Sequence, residues 1–172
     1  MTVTGDRRDD IPADFERERD LYGNFSLAET NLTLERLVVG GAIVDALINV
    51  VGNAGKVRAR ALIDSSIFIG YEPDDAFQPM AGGFFEPELT FAGVQISGRS
   101  DAFVNSYVAA ANLGTNHVKS VAIDNGGVPF GFLAQESVGE VRVAAPLFRF
   151  DPAGADDQSV GDFHVQRTAG SE

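Results

Sequence analysis

Two apolar runs constrain this chain most: LERLVVGGAIVDALINVV, residues 34–51, and KVRARALIDSSIFIGYE, residues 56–72, with Gly52-Asn53-Ala54-Gly55 between them. Both are rich in Val, Ile and Ala, and β-branched side chains suit a pleated, half-buried surface better than a helix. A Gly/Asn-rich turn between two such runs predicts a β-hairpin that carries the core. In the second run Val57, Ala59, Ala61 and Ile63 alternate with Lys56, Arg58 and Arg60, so that strand is expected to have one wet face. The first run can be read in two ways. Asp45 and Asn49 are four apart, as on one face of a helix, whereas Val44, Ala46, Ile48 and Val50 share strand parity; we take the strand.

The same pattern continues. Residues 73–88, PDDAFQPMAGGFFEPE, hold three Pro and two Gly and read as a long surface loop. Leu89 and Phe91 share one parity and Val94 and Ile96 the other, which predicts a bulge at Ala92-Gly93. Residues 101–112 admit a helix started by Ser100 or a strand, and we take the strand. Asp124-Asn125-Gly126-Gly127 is a strong hairpin signal between HVKSVAI and VPFGFLA. Beyond it, Val141, Val143, Ala145 and Leu147 share a face until Pro146 breaks the ladder, as in an edge or bent strand. No internal repeat and no interdomain linker is evident.

The ends differ from the middle. Residues 1–23 are polar and mixed in charge, an N-terminal arm with room for one short helix between Asp10 and Gly23. Residues 152–172 are acidic and poor in apolar side chains, with only Val160, Phe163 and Val165 able to dock, and are expected to form a C-terminal acidic arm. Between them, residues 24–151 form the expected β-barrel domain.

Charge narrows the function. The formal charge is −12, with 15 Asp, 10 Glu, 11 Arg and only 2 Lys. An Asp-rich, Lys-poor surface fits a protein kept in concentrated salt, where screening removes self-repulsion; a high-GC genome is the other source of the same bias. No basic stripe is visible along the chain, so direct nucleic-acid binding is not expected. The N-terminus lacks the apolar core of a signal peptide, and the longest apolar run contains Asp45, so neither secretion by such a signal nor a membrane span is expected.

No catalytic constellation is evident in the sequence. His117 and His164 are 47 positions apart with no His or Cys partner at ligand spacing, and cysteine is absent. Ser65, Ser66, Ser97 and Ser137 lie in no nucleophile elbow. The pairs Asp74-Asp75 and Asp156-Asp157 lack the spacing of a calcium loop and read as solvated acidic loops. We therefore expect no enzyme, and no catalytic, cofactor-binding or metal site. A glycan-binding role would need exposed aromatics, for which Tyr71, Phe77, Phe84 and Phe85 are the cluster to consider.

Several short runs with turn signals between them predict an all-β fold, a single jelly-roll sandwich or barrel of about eight strands with polar terminal arms. With its Pro/Gly-rich loop at 73–88 and its arms, the acidic chain resembles the smaller major capsid protein of icosahedral, membrane-containing haloarchaeal viruses. The resemblance implies a single upright jelly roll and a virion structural role, reached by self-assembly and by co-assembly with a second, related capsid protein. It also implies assembly in the host cytoplasm and a final position in the capsid, near an internal membrane. The alternative is a non-catalytic β-sandwich binding module for carbohydrate or protein.

Overall fold

The computed structural model describes residues 32–168, all strand and turn, with no helix among them. The expected N-terminal arm and its short helix lie outside the described residues, as do positions 169–172. The all-β class holds, and residues 43–51 and 101–112 lie in strands and corners as read. The topology differs from the jelly roll.

The strands in chain order are β1 (Leu32–Val38), β2 (Ala42–Val44), β3 (Leu47–Val50), β4 (Asn53–Ala59), β5 (Ala61–Ile63), β6 (Ser66–Ile69), β7 (Tyr71–Pro73) and β8 (Gly83–Phe85). They continue with β9 (Thr90–Ile96), β10 (Phe103–Val104), β11 (Tyr107–Ser120), β12 (Phe130–Ala145), β13 (Phe148–Arg149), β14 (Asp157–Val160) and β15 (Phe163–Arg167). Pairing is predominantly parallel. β2, β5 and β10 form one ladder, and β3, β6, the first part of β11, the first part of β12 and β15 form a second. β1, β4, β9 and the later parts of β11 and β12 form a third. The chain thus winds as a solenoid, each coil contributing one segment to each of three faces and pairing with the coil before and after it.

This corrects two expectations of hairpins. β3 and β4, which flank Gly52-Asn53, do not pair with each other: Leu47 lies opposite Ser66 and Ala54 opposite Phe91. β11 and β12, which flank Asn125-Gly126, run parallel, with Val108 opposite Phe132. Both turns exist, and Gly126 and Gly127 hold positive φ, but they are corners or links between coils. A jelly roll needs antiparallel neighbours; here those are confined to β12 with β13, β14 with β15, and β7 with β8.

Like side chains stack inside. Ile48, Ile67, Val108, Phe132 and Val165 occupy equivalent positions on successive coils, as do Leu37, Val57 and Val94. Phe103, Phe130, Phe132 and Phe163 are fully buried and meet at ring-centroid distances between 5.3 and 6.1 Å. Phe163 and Val165 are buried in β15, which corrects the reading of residues 152–172 as an arm: 157–167 complete the solenoid's last ladder.

The bulge expected at Ala92-Gly93 belongs to a larger feature. In β4, β9, β11 and β12 inward alternation slips at one level, so that Ala54 and Val57, Phe91 and Val94, Leu113 and Asn116, and Val138 and Val141 are all buried. Because the stacked strands slip together, no register is lost between β4 and β9. Gly55, Gly93, Gly114 and Gly139 supply the backbone room, and a Cβ on Gly93 would lie 2.1 Å from the Thr115 carbonyl oxygen. Buried Asn116 serves the same level: its Oδ1 accepts from Val94 N at 3.0 Å, and its Nδ2 donates to the carbonyls of Gly114 and Glu140.

Candidate functional site

In a strand, alternate side chains point away from the core, and in a solenoid the outward positions of successive coils fall into rows. On the third face one row runs Val38, Arg58, Gln95, His117, Arg142 and Arg149, each directly opposite the next across the ladder. All six are exposed. Arg36 lies opposite Lys56 two residues earlier, and Lys119 follows His117 by two. Of the nine Lys and Arg between residues 32 and 168, six are therefore exposed on this face, including both lysines. The expectation of no basic stripe is corrected: five strands spread between residues 32 and 149 assemble one.

A cleft of about 530 Å³ opens on the same face, lined in part by Gln95, His117, Lys119 and Arg142 and walled by Leu147, Phe148 and Arg149 where β13 folds back on β12. At its side Glu140 gathers three basic side chains. His117 Nε2 lies 3.2 Å from Glu140 Oε2, and Arg142 Nε lies 2.5 Å and a terminal nitrogen of Arg149 3.7 Å from Oε1. The His117 hydrogen bond, and then the Arg142 charge, hold the Glu140 carboxyl below the usual carboxylate range.

The other candidate residues take separate places. Tyr71 and Phe85 are buried, with ring centroids 4.4 Å apart, and Phe68 meets the Tyr71 ring edge-on. The Tyr71 hydroxyl lies 2.5 Å from the Pro79 carbonyl oxygen and 2.8 Å from that of Gly82, within donating reach of both. Residues 73–88 are thus clipped to the solenoid by Tyr71. Only Phe77 and Phe84 of that aromatic cluster are exposed, so the four rings form no common platform. His164 lies on β15 with Nδ1 2.8 Å from Asp157 Oδ1, and Asp156 pairs with Arg167. Asp74 and Asp75 remain on the exposed loop, Asp75 accepting from Phe77 N. Ser65 is buried in a corner, where its Oγ accepts from Ala46 N and donates to the Ile63 carbonyl. Among the described residues no three His, Cys, Asp or Glu converge to hold a metal ion.

A second polar row follows the corner between the first and second faces. Asn105 Nδ2 donates to Asp64 Oδ1 at 2.8 Å, and Asn125 Nδ2 to Asn105 Oδ1 at 3.1 Å. Asp45, Asp64 and Asn105 all hold positive φ there. The repeat behind it is Ile43-Val44-Asp45-Ala46, Leu62-Ile63-Asp64-Ser65 and Phe103-Val104-Asn105-Ser106, one on each of three successive coils. It escapes a fixed-period search because its spacings are 19 and 41 residues, the longer one enclosing the 73–88 loop. Comparison with family models, curated proteins and solved structures gives no match.

Proposed function

We propose that the protein is a non-catalytic structural subunit that works by assembly with copies of itself and with a partner chain. The observation that carries this reading is the first coil. Val38, Val44, Leu47 and Val51 are exposed there, Leu47 to 66% and Val51 to 83%. Among the described residues β2 pairs only with β5, and β3 only with β6, which leaves one edge of each without a partner strand among them. At the opposite end the antiparallel strands β13 and β14 lie against β12 and β15. An open edge lined by apolar side chains is a template for another strand, and solenoid ends without a cover associate. A second copy meeting this end about a two-fold axis would extend the ladder with an antiparallel pair.

The specific form proposed is a shell subunit of a virion that co-assembles with a related chain. The solenoid is not the upright jelly roll that the resemblance implies, so support for this form comes from the exposed first coil and the acidic surface suited to strong salt. It is tested by sedimenting particles at high salt from a culture that makes the protein and identifying the chains in the particle band by mass spectrometry. Abundant recovery in that band is expected. Recovery only from the soluble fraction would refute the virion form.

A binding role is the second reading, favoured by the cationic row and cleft of the third face.

A further inference from the structure

Stacking on the third face produces a line of donors that the sequence order conceals. Arg58, Gln95, His117, Arg142 and Arg149 lie on adjacent strands, spaced about 4.8 Å apart, so the line extends roughly 19 Å along the solenoid axis. The formal charge of the chain is −12. A concentrated cationic line on such a chain attracts an anionic ligand to that face and repels it elsewhere.

The chemistry of the line selects the anion. Arginine presents a planar fork that matches a carboxylate in two parallel hydrogen bonds. Glu140 already shows how a carboxylate is held here, drawing His117, Arg142 and Arg149 around it. Gln95 and Ser97 at the cleft add neutral groups suited to hydroxyls. Phe148 is the one Phe, Tyr or Trp among the described residues lining the cleft, half-buried and packed on Phe163, and the His117 imidazole is held by Glu140, so the successive stacking that single-stranded nucleic acid uses has no row of free rings. A linear polymer of sugar rings advances per ring by a distance comparable to one strand step, so the rings that turn toward the protein can set their carboxylates against donors of the line.

We infer that the third face binds an acidic polysaccharide through its uronate carboxylates, with the polymer lying along the solenoid axis across β4, β9, β11, β12 and β13. The role is independent of assembly through the first coil. Glu140 acts as an internal competitor that keeps His117, Arg142 and Arg149 in place until a ligand carboxylate enters.

The test is affinity electrophoresis of the full chain through polygalacturonate, in a buffer where circular dichroism reports the folded β protein. Parallel gels contain the methyl-esterified polymer, single-stranded DNA and polyglutamate. The expected result is retardation by polygalacturonate that disappears on esterification and exceeds that by the other two polyanions. R58Q/R149Q, which changes only exposed side chains, should weaken retardation by about tenfold. E140Q, with the internal carboxylate removed, should strengthen it. Equal retardation by the esterified polymer, unchanged binding by R58Q/R149Q, a preference for DNA or polyglutamate, or no retardation of the natural chain would each overturn the inference.

Discussion

Asn105 Nδ2 donates to Asp64 Oδ1 across 2.8 Å, and both residues hold positive φ at the same corner of adjacent coils, 47° at Asp64 and 38° at Asn105. Asn and Asp tolerate this region because a short polar side chain offsets its steric cost with a local hydrogen bond. Asn105→Val removes this hydrogen bond and the one accepted from Asn125 Nδ2 and places a β-branched residue there, and should destabilise by roughly 2–3 kcal/mol. Asn105→Gly keeps the backbone and loses the same two bonds, and should cost about 1 kcal/mol. Urea unfolding of the two variants checks the order; equal losses would mean that the corner conformation is unimportant.

The shared slip at Gly93 makes a second prediction. Its φ is +116°, and a Cβ would lie 2.1 Å from the Thr115 carbonyl oxygen. Gly93→Ala should therefore lower stability by about 2–4 kcal/mol, chiefly by parting β9 from β11. Gly126→Ala meets open space at a positive φ and should cost only about 1 kcal/mol. Thermal melts of both variants distinguish steric collision from the conformational term alone.

Asn116 should be intolerant of an apolar substitute of similar size. Buried completely, it satisfies Val94 N, Gly114 O and Glu140 O. Asn116→Leu removes all three hydrogen bonds at a buried level and should cost roughly 2–4 kcal/mol, despite adding hydrocarbon to the core. A neutral result would mean that water or a shifted backbone can serve the bulge.

Acid and alkali should act on different places. Hydrogen bonds from Asn125 N and Gly127 N hold the Asp162 carboxyl below the usual range. Its contribution is present above the ordinary carboxylate pKa and is lost as pH falls through the lower folded value. Hydrogen exchange at residues 125–127 should rise there, and Asp162→Asn should flatten the rise. Burial, aided by the Asp74 charge, pushes the Tyr71 phenol up to about 12. Its neutral form is favoured in the folded chain, so stability should decline as pH rises from about 10 through 12. Burial also raises the Tyr107 phenol, so Tyr71→Phe should reduce that decline without abolishing it, while loosening residues 73–88.

The local alphabet of this fold was legible, and its long-range pairing was not. The alternation of Val57 and Ala59 with Lys56 and Arg58, the slip at Ala92-Gly93 and the turn at Gly126-Gly127 all reflect neighbours in the chain. Whether a strand pairs with the next in sequence or with one a coil away depends on contacts 19 to 41 residues distant, as Leu47 with Ser66 and Ser66 with Tyr107 illustrate. Local turn chemistry does not distinguish a hairpin from a solenoid corner. The cationic row was hidden for the same reason, since Arg58 and Arg142 join one surface only after β4 has paired with β9, β9 with β11 and β11 with β12. The Asp45, Asp64 and Asn105 repeat was the available signal, spaced unevenly because a loop interrupts one coil.

Assembly through the first coil is tested most directly by sedimentation equilibrium of the full chain and of Leu47→Lys, at high salt over a wide range of protein concentration. The natural chain should associate with rising concentration, and the variant, equally folded by circular dichroism, should associate about tenfold more weakly. A natural chain that stays monomeric throughout, or a variant that associates as well, would contradict the claim that this end of the solenoid is an assembly surface.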